Sequence, residues 1–519
     1  MVQGQDLFLW KFVRAPKNAG EMLLSQRFRR NLPLVASVVA LSLLWSFVRI
    51  RHDSFRESSL NSNGHPTAVL TETGILEQGS QTCAPDIERL RDSTLALTES
   101  FLYSRRCIRP VWGSRADRKV VTKLDQSLIT QSTEANLTRC QEVQLPSCEP
   151  LLLDVPYPYP AATYPHLQFG VATDYDRLVQ SLPGFTHWLS GTGARLLAII
   201  VDEDGGPNAR QRISDLVSLY ASHGIDFKAM PRRDQTLGVS QNHFTIISEL
   251  LETATSDTKW LGVIDDDTFF PSLYRLDKEL QKHDHTAPSW LGALSEDFDV
   301  VKWLGMMAFG GAGTFLSVPL AEQLVPHIPD CLTLPQAVAK NATGDGLLRD
   351  CIYEHTSTKL TIVDGLYQHD LRGDISGFYE SGVQPLSVHH WRSWYKVPMP
   401  QMAVVTKLCG DCFLQRWQFG KDTLLANGFS VTQYADELDN VDLGQMEGTW
   451  SNPGHEFDFS LGPLRSAIDD NKKKTYRLRD ATFMEDGSLR QIYVYSNPLG
   501  EEPDHVLELS WEAHRGLLH

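Results

Sequence analysis

Between residues 195 and 264, short apolar runs alternate with amphipathic helical patterns, and few folds accept that order. Residues 195–201 (RLLAIIV) are continuously apolar, as a parallel strand buried on both faces requires. Residues 209–223 (ARQRISDLVSLYASH) space their apolar side chains along one helix face, and Gly224 stands where a helix C-cap favours glycine. Residues 225–230 (IDFKAM) read as a second strand, and 240–254 (SQNHFTIISELLETA) as a second helix with Ser240 as candidate N-cap. Residues 259–264 (KWLGVI) close the unit as a third strand. Strand–helix–strand–helix–strand over about 70 residues is the pattern of a nucleotide-binding parallel sheet.

The third strand runs directly into Asp265, Asp266 and Asp267. Open α/β sheets bind ligands beyond the carboxyl ends of their strands, so these carboxylates stand where a site belongs. Side chains two apart on an extended backbone point the same way. Asp265 and Asp267 are therefore expected to face one ligand while Asp266 turns aside. Hard oxygen donors grouped in this way bind Mg2+ or Mn2+, which in turn bind a diphosphate. A plain turn after a strand rarely needs three carboxylates that repel one another.

Composition narrows the partners. The 519 residues exceed one ordinary core, and 42% apolar content with 12 tryptophans is that of a folded chain. The formal net charge of −16 repels phosphate backbones and argues against general nucleic-acid binding, while suiting a protein that holds a cation against an anionic ligand. Residues 32–48 (LPLVASVVALSLLWSFV) form an uncharged run of roughly one bilayer crossing. Lys11, Arg14, Lys17, Arg27, Arg29 and Arg30 precede it, against Asp6 and Glu21, which predicts a cytosolic N-terminus and a lumenal body. A small-x-small signal cleavage site is missing after the run, so a signal anchor is expected rather than a cleaved leader. All eight cysteines follow the span, as disulfides in an oxidising lumen would require. Cys409 and Cys412 lack the second ligand pair of a zinc site and are expected to form a local disulfide. Asn136-Leu-Thr138 and Asn341-Ala-Thr343 are glycosylation triplets that such a compartment could use.

Several motifs in order carry a resemblance. WLGVIDDDTFF, Gly310-Gly-Ala-Gly-Thr-Phe315, Gly344-Asp345-Gly346, GDISGFYESG at 373–382 and Leu386-Ser-Val-His-His-Trp391 together resemble the Fringe-type β1,3-transferring glycosyltransferases (glycosyltransferase family 31), and their fungal branch in particular. The resemblance spans roughly residues 169–394. It implies an α/β fold of GT-A type with a mixed, mainly parallel sheet, a UDP-sugar donor and inversion at the anomeric carbon. By the same resemblance Asp267 and His389 are the metal ligands. Asp265 helps hold the nucleotide, with Asp266 counted in the same set, and Asp345 is the general base. Gly310, Gly311 and Gly313 form the loop beside donor sugar and acceptor, where glycine lets backbone approach a ligand and leaves N–H groups unobstructed. His390 is expected to point to the opposite side from His389, so that only one of the two ligates. The surroundings of Asp345 depart from the paired acids of Fringe proteins, and Asp345 could alternatively be the N-cap of the helix that follows.

The expected organisation is a cytosolic tail (1–31), a transmembrane signal anchor (32–50), a stem and cysteine-containing region (51–165), a GT-A catalytic domain (166–405) and a small β-rich C-terminal extension (406–519). A helical pattern is read between Cys83 and Cys107, and a hairpin or small sheet in the final stretch. The expected function is metal-dependent transfer from a UDP-sugar to a glycan or glycoprotein hydroxyl, using Mn2+ or Mg2+, at a Golgi or endoplasmic reticulum membrane. Two competing classes bear weighing. A phosphohydrolase of DxDx[TV] type would need Thr or Val where Phe269 stands. A carbohydrate-binding relative that lost turnover would keep the fold, though Asp265, Asp267, Asp345 and His389 are all in place.

Overall fold

The computed structural model describes residues 83–513 apart from 84, 114–119, 140–146, 336, 338–341, 498–499 and 501. The expected anchor at 32–50 and the triplet at Asn341 lie outside the described residues. Among the described residues, no helix is long and apolar enough to cross a membrane.

The fold is mixed α/β. One sheet has seven strands: β1 (Leu167–Thr173), β2 (Arg195–Ile200), β3 (Asp226–Pro231), β4 (Trp260–Val263), β5 (Trp290–Gly292), β6 (Thr314–Ser317) and β7 (Leu360–Ile362), in the spatial order 3-2-1-4-6-5-7. Neighbours β3, β2, β1 and β4 are parallel, β6 runs antiparallel to β4 and β5, and β5 pairs parallel with β7. The mixed, mainly parallel sheet expected from the sequence is therefore present.

Its helices are α1 (Tyr175–Leu189), α2 (Pro207–Ser222), α3 (Val239–Glu252), α4 (Leu273–Leu280), α5 (Phe298–Leu304), α6 (Val318–Leu324) and α7 (Gly344–His355). They cover both faces. Leu196, Ala198 and Ile200 of β2 pack in one core with Leu178, Phe185 and Trp188 of α1 and Leu216 and Tyr220 of α2. Leu197 and Ile199 enter the opposite core, with Phe244, Ile247 and Leu250 of α3 and Leu347 and Leu348 of α7. Two-sided burial is why β2 reads as an unbroken apolar run. The expected element boundaries shift little, but Ser240 is not an N-cap: α3 starts one residue earlier, and Gly238 holds the capping position.

The remaining strands differ from expectation. A ten-stranded sheet places Thr122–Leu124, Arg416–Phe419, Thr423–Ala426, Ser430–Tyr434, Lys473–Phe483, Leu489–Tyr495, Asp504–Trp511, Ser100–Gly113 and Thr133–Asn136 side by side, with Pro150–Pro156 also paired to Ser100–Gly113. Ser100–Gly113 runs parallel to Asp504–Trp511, so the segments assigned to an N-terminal region and a C-terminal extension share one sheet. The helical pattern read from Cys83 to Cys107 survives only as short turns at 85–95, and Phe101 and Leu102 belong to the strand. Phe101 and Tyr103 are buried there two residues apart, the strand spacing that aromatic side chains favour, and Ile108 is buried further along. The expected hairpin is found between Lys473–Phe483 and Leu489–Tyr495, inside this larger sheet. Disulfides join Cys107 to Cys148, Cys331 to Cys351 and, as the spacing suggested, Cys409 to Cys412.

Candidate active site

The three aspartates leave β4 through a tight turn. Asp265 N–H donates to the Thr268 hydroxyl at 3.0 Å, and that hydroxyl donates to the Gly311 carbonyl at 3.0 Å. Phe269 then exchanges both backbone hydrogen bonds with Val388, each 2.9 Å, and Trp391 Nε1 donates to the Asp267 carbonyl at 2.8 Å. A segment more than a hundred residues away is thereby zipped to the acidic turn, bringing His389 beside it.

His389 Nε2 lies 2.9 Å from Asp267 Oδ1 and 3.3 Å from Asp265 Oδ2. Its Nδ1–H donates to the Gln368 carbonyl at 3.1 Å, which aims Nε2 at the two carboxylates as the nitrogen that would ligate a cation in place of its proton. Burial works against charge on Asp267, but the His389 imidazolium beside it holds its carboxyl below the ordinary range. Burial likewise opposes charge on His389, and the two carboxylates hold its pKa well above the usual imidazole value. Two carboxylates and one imidazole suit a borderline-hard divalent ion such as Mn2+. Asp267, His389 and His390 also offer ligand atoms within 4.8 Å of one another.

That last grouping corrects an expectation. His390 does not turn to the opposite side, because its φ of +57° breaks the extended path and leaves its ring 3.7 Å from that of His389, centroid to centroid. The His390 ring stacks on Trp394, whose indole also carries the Arg372 guanidinium. Behind His389, the buried Tyr395 hydroxyl donates to the His389 carbonyl at 2.6 Å and meets His369 Nδ1 at 2.5 Å.

Asp266 turns aside, as alternation predicts. Both of its oxygens are taken up by Thr173, Arg177 and Arg392, which tie the acidic turn to β1, to α1 and to the turn at 391–394. Within the pair counted for the nucleotide, only Asp265 keeps a partly exposed carboxylate.

Asp345 sits in the first turn of α7 but does not cap it; the Thr343 hydroxyl accepts from Gly346 N–H in that role. Asp345 Oδ1 accepts Gly310 N–H at 3.0 Å and His243 Nε2–H at 3.1 Å. His243 comes from the middle of α3, and its Nδ1 is 3.5 Å from Asp265 Oδ1. Burial would lower its pKa, yet the hydrogen bond to Asp345 and the charges of Asp345 and Asp265 raise it to about 9. His243, Tyr395 and Gln368 were not singled out from the sequence. A polar residue in mid-helix carries no spacing signal of its own.

The glycine loop commits several of its N–H groups within the protein. Gly310 N–H is spent on Asp345, while Ala312 and Gly313 N–H bond back to Phe309 and Gly310. A Cβ on Gly311 would press on His389 Nδ1 and lie 2.5 Å from Gln368 Oε1, an atom with no hydrogen-bond partner among the described residues. Absent side chains are needed here so that site residues can pack against backbone. Gly311→Ala must therefore displace His389. It is expected to lose ~1–3 kcal/mol of stability, and Mn2+ affinity with it, read by thermal melts and metal titration.

Glu296 supports the same region from below, accepting Gln368 N–H at 2.8 Å and Asp370 N–H at 3.2 Å. Burial first, then the Asp370 charge, raises its pKa from 4.5 to about 8. The folded state thus holds this proton more tightly than the unfolded chain. The associated stability is fully present below pH 4.5 and lost as pH rises through about 8. Denaturant melts of Glu296→Gln between pH 5 and 8.5 should show a shallower fall than the unaltered chain, by ~1 kcal/mol or more.

The family described as "Protein of unknown function, DUF604" matches residues 301–409, from within α5 to Cys409. No curated protein matches the chain in sequence. Solved structures that match part of the chain include the glycosyltransferase GlyE of Streptococcus pneumoniae TIGR4, with 11% identity, a TM-score of 0.32, and coverage of 48% of this chain and 61% of that one. They also include the mannosyltransferase PcManGT of Pyrobaculum calidifontis in complex with GDP-Man and Mn2+ (8%, 0.25, 43% and 64%) and mouse xyloside xylosyltransferase 1 (10%, 0.26, 38% and 85%). The chain spans less than two thirds of the length of the first two. Likeness at this level bears on neither substrate nor mechanism.

Proposed function

We propose that this chain is an inverting, metal-dependent glycosyltransferase that moves a sugar from a UDP-sugar to a glycan or glycoconjugate hydroxyl, forming a β1,3 linkage. One observation carries the reading. Asp265, Asp267 and His389 Nε2 converge beyond the carboxyl end of β4, and Asp345 is held beside them through Gly310 and His243. Asp267 and His389 would hold the cation, with Asp265 toward the nucleotide. A divalent ion there supplies charge neutralisation for a departing diphosphate.

The chain's own residues account for the rest. Inversion needs in-line attack by an acceptor hydroxyl on the anomeric carbon as UDP leaves with the bonding electron pair. The hydroxyl is a weak nucleophile at neutral pH, so its proton must pass to a positioned base late in the step. Asp345 takes that proton and returns it to water afterwards; its hold by Gly310 and His243 beside the acidic turn supports the role. The apolar run at 32–48 and the disulfide-bonded body support a single-pass type II protein with a lumenal catalytic domain in the Golgi or endoplasmic reticulum.

The test is UDP release by the full chain from UDP-galactose, UDP-N-acetylglucosamine and UDP-glucose with Mn2+ and an acceptor glycan panel. Acceptor-stimulated, chelator-sensitive release of UDP is expected. UDP binding without turnover of any donor would favour the carbohydrate-binding relative instead, and a folded chain that does not bind UDP would sink the proposal.

A further inference from the structure

We infer that His243 is the positioning residue of the base: it commits Asp345 Oδ1 to structure and leaves Oδ2 as the oxygen that takes the acceptor proton. The inference rests on the reading of Asp345 as general base and adds which atom acts and what holds it.

The geometry is specific. Oδ1 receives two donors from different elements, Gly310 N–H at 3.0 Å and His243 Nε2–H at 3.1 Å, and Oδ2 has no hydrogen-bond partner among the described residues. A carboxylate pinned through one oxygen cannot swing freely, so the other keeps a constant aim. Space for the imidazole is built in from two sides. A Cβ on Gly310 would lie 2.7 Å from His243 Cε1, and one on Gly344 would collide with His243 Cδ2. Glycine therefore stands on both sides of a ring that is only 7% exposed.

The same imidazole reaches the donor side, where Nδ1 lies 3.5 Å from Asp265 Oδ1. His243 thus links the base to the carboxylate expected to hold the nucleotide, from a helix that carries neither. A structural role alone would not call for both ring nitrogens to face functional carboxylates in a pocket that two glycines keep open.

In the transfer step the acceptor O–H bond breaks and its proton goes to Asp345 Oδ2. The acceptor oxygen bonds to the anomeric carbon, and the carbon–phosphate-oxygen bond breaks with its electron pair leaving on UDP. His243 keeps its proton throughout and forms no bond to substrate.

The experiment compares His243→Gln, Asp345→Asn and the double variant in the full chain, using Mn2+-dependent UDP release from the three UDP-sugars above and UDP–Mn2+ affinity by calorimetry. His243→Asn is the second variant should Gln fail to fold, judged by its melt and its UDP binding. His243→Gln is expected to lower turnover ~10-fold or more with UDP affinity held within ~3-fold, and to add nothing in the Asp345→Asn background, as two residues acting through one group should behave. Unchanged turnover, an equal further loss on top of Asp345→Asn, or a matching fall in UDP affinity would each overturn the assignment. Turnover by Asp345→Asn at the unaltered rate, or by no form of the chain, would instead remove the base reading beneath it.

Discussion

Titrated with UDP in the presence of Mn2+, the Asp267→Ala chain is expected to bind at least ~100-fold more weakly than the unaltered chain. Changing a partner one step outside a metal's ligands already costs roughly 10- to 100-fold in affinity, so losing a ligand should cost no less. Asp267 is one of two carboxylates within reach of His389 Nε2, and its removal leaves that nitrogen facing the more exposed Asp265 alone. Asp267→Asn tests the same point with little change in shape, and its melt should stay close to that of the unaltered chain. Metal-dependent UDP binding retained in both variants would refute the assignment of Asp267. UDP binding that never depended on metal would refute the metal itself.

The second large effect separates chemistry from binding. Asp345→Asn should bind UDP–Mn2+ within ~3-fold of the unaltered chain while transfer falls ~10²- to 10⁴-fold, the range a positioned general base contributes. The amide can still accept Gly310 N–H and His243 Nε2–H through its oxygen, so the loop geometry is preserved. What it loses is the capacity to take a proton. If donor binding and transfer fell together, Asp345 would be a scaffold for the loop rather than the base.

These expectations draw on both kinds of legibility. The run from β2 to β4 was readable because each element declares itself within its own span: continuous apolar residues for strands buried on two faces, and a one-sided stripe for α2 and α3. Asp265 and Asp267 were readable as a pair because backbone alternation is local, and the same rule placed Asp266 aside. That rule failed at His390, where a φ of +57° breaks the alternation. Nothing in the two-histidine sequence announces a left-handed backbone, which here comes with stacking on Trp394 and the turn that follows.

The larger omission was the ten-stranded sheet. Ser100–Gly113 and Asp504–Trp511 pair across some four hundred residues, and strand register over that distance leaves no trace in either segment alone. His243 was hidden for a related reason. Its neighbours on α3 are core apolar residues and ordinary polar ones, and it gains meaning only where Gly310 and Gly344 close around it.

By itself the sequence determined the alternating α/β unit, the acidic turn at its strand end, the local Cys409–Cys412 bond and the expectation of a cation. Each follows from interactions among residues near one another in the chain. Only the tertiary structure decided that His389 meets Asp267, that Asp345 is held by Gly310 and His243 rather than capping α7, and that both ends of the described body share one sheet. Those contacts join segments that hydrophobic burial and backbone pairing bring together across long separations, and their geometry is set by packing that no single segment encodes.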